Sequence, residues 1–240
     1  MAEDENLLDV ADIQGNILRP YGLDWAGYLF ATVEDEQAGR TWLAELVGDV
    51  TTAAKWTPGH KPARTLNIGI SWRGLASLGV PDRLLRTFSL PYRQGMVARA
   101  PLLGDIGVSG PENWDPGLRS ELHVVLIVHA GAREHRDSRL GELRARVDTE
   151  RGRLTVVEQV VSEKLPEGRE HFGFADGFAQ PAIEGSGHGH LPGQGTPTRW
   201  GRWAPLKAGE IVLGYEDGDG VLPAAPGAPL GDNGSYLVLR

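Results

Sequence analysis

The run Leu122-His123-Val124-Val125-Leu126-Ile127-Val128-His129 constrains the fold more tightly than any other stretch. Its apolar character is too continuous for either face of a strand to meet water, so it predicts a strand inside a sheet, with neighbours on both sides. The flanking periodicities supply those neighbours. Residues 28–33 read as a buried strand, and residues 37–50 place Trp42, Leu43, Leu46, Val47 and Val50 on one helical face. A second strand over 65–72 aligns Leu66, Ile68 and Ile70 on one face. Short helices come next at 81–88, with Pro81 suited to a first helical position, and at 92–98. Beyond the central run, residues 132–150 are charged but space Leu140, Leu143 and Val147 by three and four, and residues 154–161 alternate into a fourth strand.

The order β-α-β, β-α-β predicts an α+β fold: a ferredoxin-like β-α-β-β-α-β domain with an antiparallel sheet. The division expected is an N-terminal arm over 1–20, the ferredoxin-like domain over 21–170 with an insertion at 72–117, and a loop region over 171–232. Residues 185–234 hold 19 Gly and Pro in 50 positions, which is why that region reads as loop. Within it, residues 209–215 suggest one short strand, and Ser235 to Arg240 alternate as another. No later segment is there to pair with this last strand, so residues 233–240 are expected to pair outside the chain.

Composition removes several functions. The net charge of −8 offers no positive field to gather phosphates, so neither nucleic acid nor an anionic membrane is an expected partner. No segment approaches the roughly 20 apolar residues of a membrane span. The absence of cysteine excludes disulfides, thiolate metal sites and a cysteine nucleophile. Glu3, Asp4, Glu5, Asp9 and Asp12 are the opposite of a basic, then apolar, secretory leader, which favours a cytoplasmic setting.

Motifs for acyl transfer, P-loop phosphate binding and zinc proteolysis are missing. Asp217-Gly218-Asp219-Gly220 opens like a calcium loop but lacks the later ligands, and reads as a polar turn. His188-Gly189-His190 has no evident third ligand, and His123 and His129 read as core or sheet-edge histidines, so no metal site is expected. One stretch stands apart: Arg169-Glu170-His171-Phe172-Gly173-Phe174-Ala175-Asp176-Gly177-Phe178-Ala179-Gln180-Pro181. It sets a carboxylate between glycines and among three phenylalanines. The glycines permit close approach of a flat ligand, and the rings exclude water around the carboxylate. A plain Asp-Gly turn with hydrophobic packing fits the same spacing.

Gly173-Phe174-Ala175-Asp176-Gly177 matches the G-x-x-D-G signature of the dye-decolourising (DyP-type) haem peroxidases, which this sequence resembles. Phe178-Ala179-Gln180-Pro181 is similar to the residues just after the signature in the longer-chain branch. Three further islands agree in family order: residues 12–18 (DIQGNIL), 206–215 (LKAGEIVLGY) and 233–240 (NGSYLVLR). The resemblance implies two ferredoxin-like domains of the dimeric α+β barrel kind, with haem b between peroxide and a reducing donor such as a dye or phenol. It implies Asp176 as the catalytic acid–base residue on the peroxide side of the haem, and Gly177, Phe178, Ala179 and Gln180 as haem-edge residues. In the family the axial histidine and a charge-stabilising arginine lie downstream of the Asn-Gly-Ser-Tyr segment. The chain is thus expected to be an N-terminal half, working with a C-terminal half polypeptide that completes the second domain, for which residues 233–240 would be the first strand. A non-catalytic ferredoxin-like scaffold without haem of its own is the alternative. A haem protein ligated by His171 or His188 is a third reading.

Overall fold

The computed structural model describes residues 8–175, 180–187 and 192–239. The chain runs α1 (Gly15–Leu18), β1 (Trp25–Val33), α2 (Glu36–Val47), β2 (Arg64–Ile70), α3 (Trp72–Ser77), α4 (Asp82–Leu85), α5 (Leu90–Leu103), β3 (Val124–Ala130), α6 (Arg133–Thr149) and β4 (Leu154–Glu163). A short pair, β5 (Thr196–Pro197) and β6 (Trp203–Ala204), completes the order. Two compact units divide these elements. One holds Leu23–Val50, Pro62–Ser162 and Leu237–Arg240; the other holds Met1–Gly22, Thr51–Lys61 and Glu163–Tyr236. Residues 51–61, which lie inside the ferredoxin-like stretch in sequence, therefore pack with the N-terminal arm.

In the first unit the strand order is β2-β3-β1-β4. Strand β3 is antiparallel to both β1 (Leu29 opposite Leu126) and β2 (Leu66 opposite Val128). With two helical crossovers this is the ferredoxin-like arrangement, and the central apolar run is an interior strand as its composition predicts. Alternate residues Leu29, Ala31 and Val33 of β1, with Val124, Leu126 and Val128 of β3, face one core with Trp42 and Leu46 of α2 and Leu140, Leu143 and Val147 of α6. On the opposite face Phe30 and Ile127 are buried as well, which explains why the strands lack polar alternation.

Helix α2 starts where the Asp35 carboxylate accepts from Ala38 N at 2.8 Å. Its buried face is Ala38, Gly39, Trp42 and Leu46. Val47, expected inside, is exposed, because the face centres on the Gly39–Leu46 line and Val47 lies a further 100° around the helix. Pro81 is the N-cap of α4 rather than its first residue, its extended ψ of 140° leading into the helix. Helix α5 outruns the expected 92–98 and is broken at Gly95, whose φ of 72° suits glycine. No helix among the described residues is long and apolar enough to cross a membrane.

The second unit is loop-rich, with its own apolar cluster of Leu8, Ile13, Leu18, Ala53, Ile183, Ala208 and Val212. The strand expected at 209–215 is instead a tight turn, a 3-10 segment at Ala208–Glu210 in which Ile211 and Val212 N–H groups both donate to Ala208 O. Gly209 N donates to Glu216 O at 2.9 Å, and a side chain at Gly209 would collide with the Tyr215 and Glu216 backbone. A short apolar run does not distinguish strand from turn by periodicity. Residues 234–239 have no strand pairing among the described residues, and Tyr236, Leu237, Val238 and Leu239 are exposed.

Candidate active site

The loop around Gly173 is built by one carboxylate. Glu170 accepts from Phe172 N through Oε2 and from Phe174 N through Oε1, both at 2.8 Å. Its own backbone pairs with the same turn: Glu170 N donates to Phe174 O at 2.9 Å, and Gly173 N to Glu170 O at 3.0 Å. Arg169 Nη1 donates to Gly173 O at 2.7 Å, and an antiparallel bridge joins Arg169 to Ala175. Five hydrogen bonds thus close a loop whose tip needs Gly173 at φ 88°. The acidic side chain of Glu170 substitutes for the strand partner that these N–H groups would otherwise seek.

On the far side the chain is anchored by Ala182 and Ile183, both buried. Ala182 N donates to Gln194 O and Leu206 N to Ala182 O, each at 2.7 Å, and Glu184 N donates to Leu206 O at 2.8 Å. The described residues before position 176 and after position 181 are thus each tied by backbone hydrogen bonds. Asp176, Gly177, Phe178 and Ala179, the residues that carry the predicted chemistry, lie outside the described residues. Gln180, the fifth, is half-buried just before the anchor. His188 and His190 also lie outside the described residues, and His171 is exposed on the loop.

The rings beside this carboxylate do not pack inward. Phe172 is 87% and Phe174 72% exposed, and nothing lies within 4 Å of where a Cβ on Gly173 would stand. The loop thus presents an open, apolar edge. Among the described residues no cluster of three or more His, Cys, Asp or Glu could hold a metal ion.

The other islands meet in a polar clamp. Tyr215 OH donates to Asn233 Oδ1 at 2.8 Å, Asn233 Nδ2 donates to Asp12 Oδ2 at 2.8 Å, and Asp9 N donates to Tyr215 OH at 3.3 Å. Asn233 adopts a left-handed φ of 60°, which asparagine tolerates. Residues 221 positions apart are so tied together. Neither this clamp nor the role of Glu170 can be read from spacing; an acidic residue opening a glycine loop is the only sequence signal for the latter.

The remaining motif residues have structural roles. Asp217 Oδ1 accepts from Asp219 N and Val221 N at 3.0 Å each, which makes Asp217-Gly218-Asp219-Gly220 a polar turn. His123 is buried, with Nδ1 accepting from Val33 N at 2.9 Å and Nε2 3.2 Å from Glu121, whose carboxyl this contact holds below its ordinary range. Burial pushes the His129 pKa down, which keeps that ring neutral at neutral pH.

Comparison with known proteins agrees with the fold. The DyP dimeric alpha+beta barrel domain matches residues 12–162. A dye-decolorizing peroxidase of Mycena epipterygia is 28% identical over 98% of this chain and 42% of its own length. Peroxidase 2 of Mycetinis scorodonius is 29% identical over 97% of this chain and 43% of its own. Among solved structures, an ancestral D-type dye-decolorizing peroxidase aligns with a TM-score of 0.75 at 30% identity, covering 95% of this chain and 48% of that one. The peroxidase of Auricularia auricula-judae aligns with a TM-score of 0.73 at 25% identity, over 92% and 46%. The chain spans less than half the length of these relatives.

Proposed function

This chain belongs to the family of the DyP dimeric α+β barrel domain, and on that premise we propose that it is the N-terminal half of a haem peroxidase that couples reduction of hydrogen peroxide to oxidation of dyes or phenols. The observation that carries this reading is the Gly173–Gly177 signature on a loop braced by Glu170, with Phe172 and Phe174 bare at its edge. When bound, haem supplies the iron that takes up peroxide and accepts its oxidising equivalents. The open edge at Phe172, Gly173 and Phe174 would suit the apolar rim of that group. A histidine to hold the iron and an arginine to stabilise negative charge would be supplied by a C-terminal half of the enzyme.

The chain's own chemical contribution is proton movement. An aspartate carboxylate, whose reference pKa is near 3.9, can serve as a base in mildly acidic or neutral solution, and this is the role proposed for Asp176. It takes the proton from one peroxide oxygen and returns it to the other, so that water leaves. The Glu170 brace holds Phe172 and Phe174, in the stretch that leads to this carboxylate in sequence. The test uses the complete enzyme, this chain together with its C-terminal half, loaded with haem. Asp176→Asn should slow the reaction with peroxide by roughly 10² to 10⁴ while leaving haem content unchanged. Stopped-flow rates within about twofold of wild type from pH 4 to 7 would make Asp176 a turn residue and overturn the assignment.

A further inference from the structure

In the loop-rich unit, away from the Gly173 loop in sequence, an open groove of about 400 Å³ is lined by Arg19, Lys55, Trp56, Pro58, Lys61 and Gly187, among others. All its charged lining residues are cationic, in a chain whose net charge is −8. Arg19 is the unusual member. Its Nε and Nη2 are buried, and neither has a hydrogen-bond partner among the described residues. Its guanidinium lies 4.9 Å from the centre of the Trp56 ring, which stacks with Tyr21 at 5.8 Å. The ring attracts the charge but accepts no in-plane hydrogen bond. A buried guanidinium edge left unsatisfied costs stability unless something accepts from it. No ion pair among the described residues involves Arg19, Lys55 or Lys61; Lys61 Nζ donates to Gly22 O at 2.6 Å.

From this cavity and this unsatisfied edge we infer that the groove binds a phosphate group, free or as a monoester. The Nε–Nη2 side of a guanidinium is its bidentate edge, matched to two oxygens of one anion. Lys55 and Lys61 add point charges for the remaining oxygens. A single carboxylate would be exhausted by the Arg19 fork alone, whereas a phosphate dianion has further oxygens for the lysines and a charge nearer to that of the three cations. The site needs neither haem nor peroxide, so it stands or falls apart from the peroxidase reading.

Calorimetric titration of the chain at low ionic strength with inorganic phosphate and with phenyl phosphate tests this, with benzoate and with sodium chloride at matched ionic strength as controls. Saturable phosphate binding is expected, accompanied by a shift of the Arg19 Nε–H signal in ¹H–¹⁵N spectra. Arg19→Gln should weaken binding about tenfold or more, the effect of losing charge-assisted hydrogen bonds. Lys55→Gln, at an exposed position, should weaken it a few-fold, and supplies the test should Arg19→Gln fail to fold. Tighter binding of phenyl phosphate than of phosphate identifies an ester as the occupant; the reverse identifies the free ion. Binding no stronger than that of chloride, benzoate binding equal to phosphate, or unchanged affinity in a folded variant each overturns the proposal.

Discussion

At the scale of single residues, the positions that look catalytic in sequence and those that hold the structure are intermixed within the same islands. Gly15 shows this best. A Cβ there would lie 2.6 Å from Thr52 O and 2.8 Å from the Tyr21 hydroxyl, and Gly15 N donates to Thr51 O at 3.0 Å. The glycine of the first island is therefore a packing requirement between the arm and residues 51–52. Gly15→Ala should destabilise the protein by about 1–3 kcal/mol through overpacking, read as a lowered urea midpoint; an unchanged midpoint would show that the arm shifts freely to make room. Asp12, Tyr215 and Asn233 belong with Gly15 as structural residues, since each spends its polar atoms on the others. Asp176 is the island residue for which we propose a chemical role.

At the scale of elements, a charged network ties β2 and α6 to the turn after α2. Arg64 Nη1 reaches Glu142 Oε1 at 2.7 Å, while Arg139 donates to Glu142 Oε2 at 3.1 Å and to Asp49 Oδ2 at 2.7 Å. Arg139 is buried, so its two carboxylate partners are what make its position tolerable. The Arg64 hydrogen bond, helped by those from Arg139 and Ser138, pulls the Glu142 pKa from 4.5 to about 2. A depressed folded pKa means the unfolded chain takes up the proton first. The Glu142 contribution is therefore complete above about pH 4.5 and lost as pH falls toward about 2. Because Glu142 is 40% exposed, solvent screens the pair, and Glu142→Gln should cost only about 0.5–1 kcal/mol at pH 7. The difference in melting temperature from wild type should vanish near pH 2; a difference independent of pH would assign the effect to packing.

At the scale of the whole molecule, the chain matches less than half the length of its relatives, and the described residues hold no cluster of three or more His, Cys, Asp or Glu that could bind a metal ion. Since axial ligation supplies much of the hold on the iron, the chain by itself should take up haem weakly, and the C-terminal half should restore stoichiometric uptake. A sharp, stoichiometric Soret band from this chain alone would sink that expectation and revive a ligand such as His171 or His188. The fold itself was legible because near-continuous apolar runs at Leu29–Val33 and Val124–Val128 mark buried strands, while Leu140, Leu143 and Val147, spaced by three and four, mark a helix face. The interior position of β3 was legible in a run apolar on both faces. Resemblance, not periodicity, singled out Asp176. What only tertiary structure decided are the contacts made by chain segments far apart in sequence. Residues 51–61 pack with the arm, residues 209–215 turn rather than extend, Asn233 finds Asp12, and Arg19 meets no carboxylate among the described residues. Local spacing records which side of an element is apolar; it carries no information about which distant polar atom will satisfy a buried donor, because that depends on how the finished backbone brings them together.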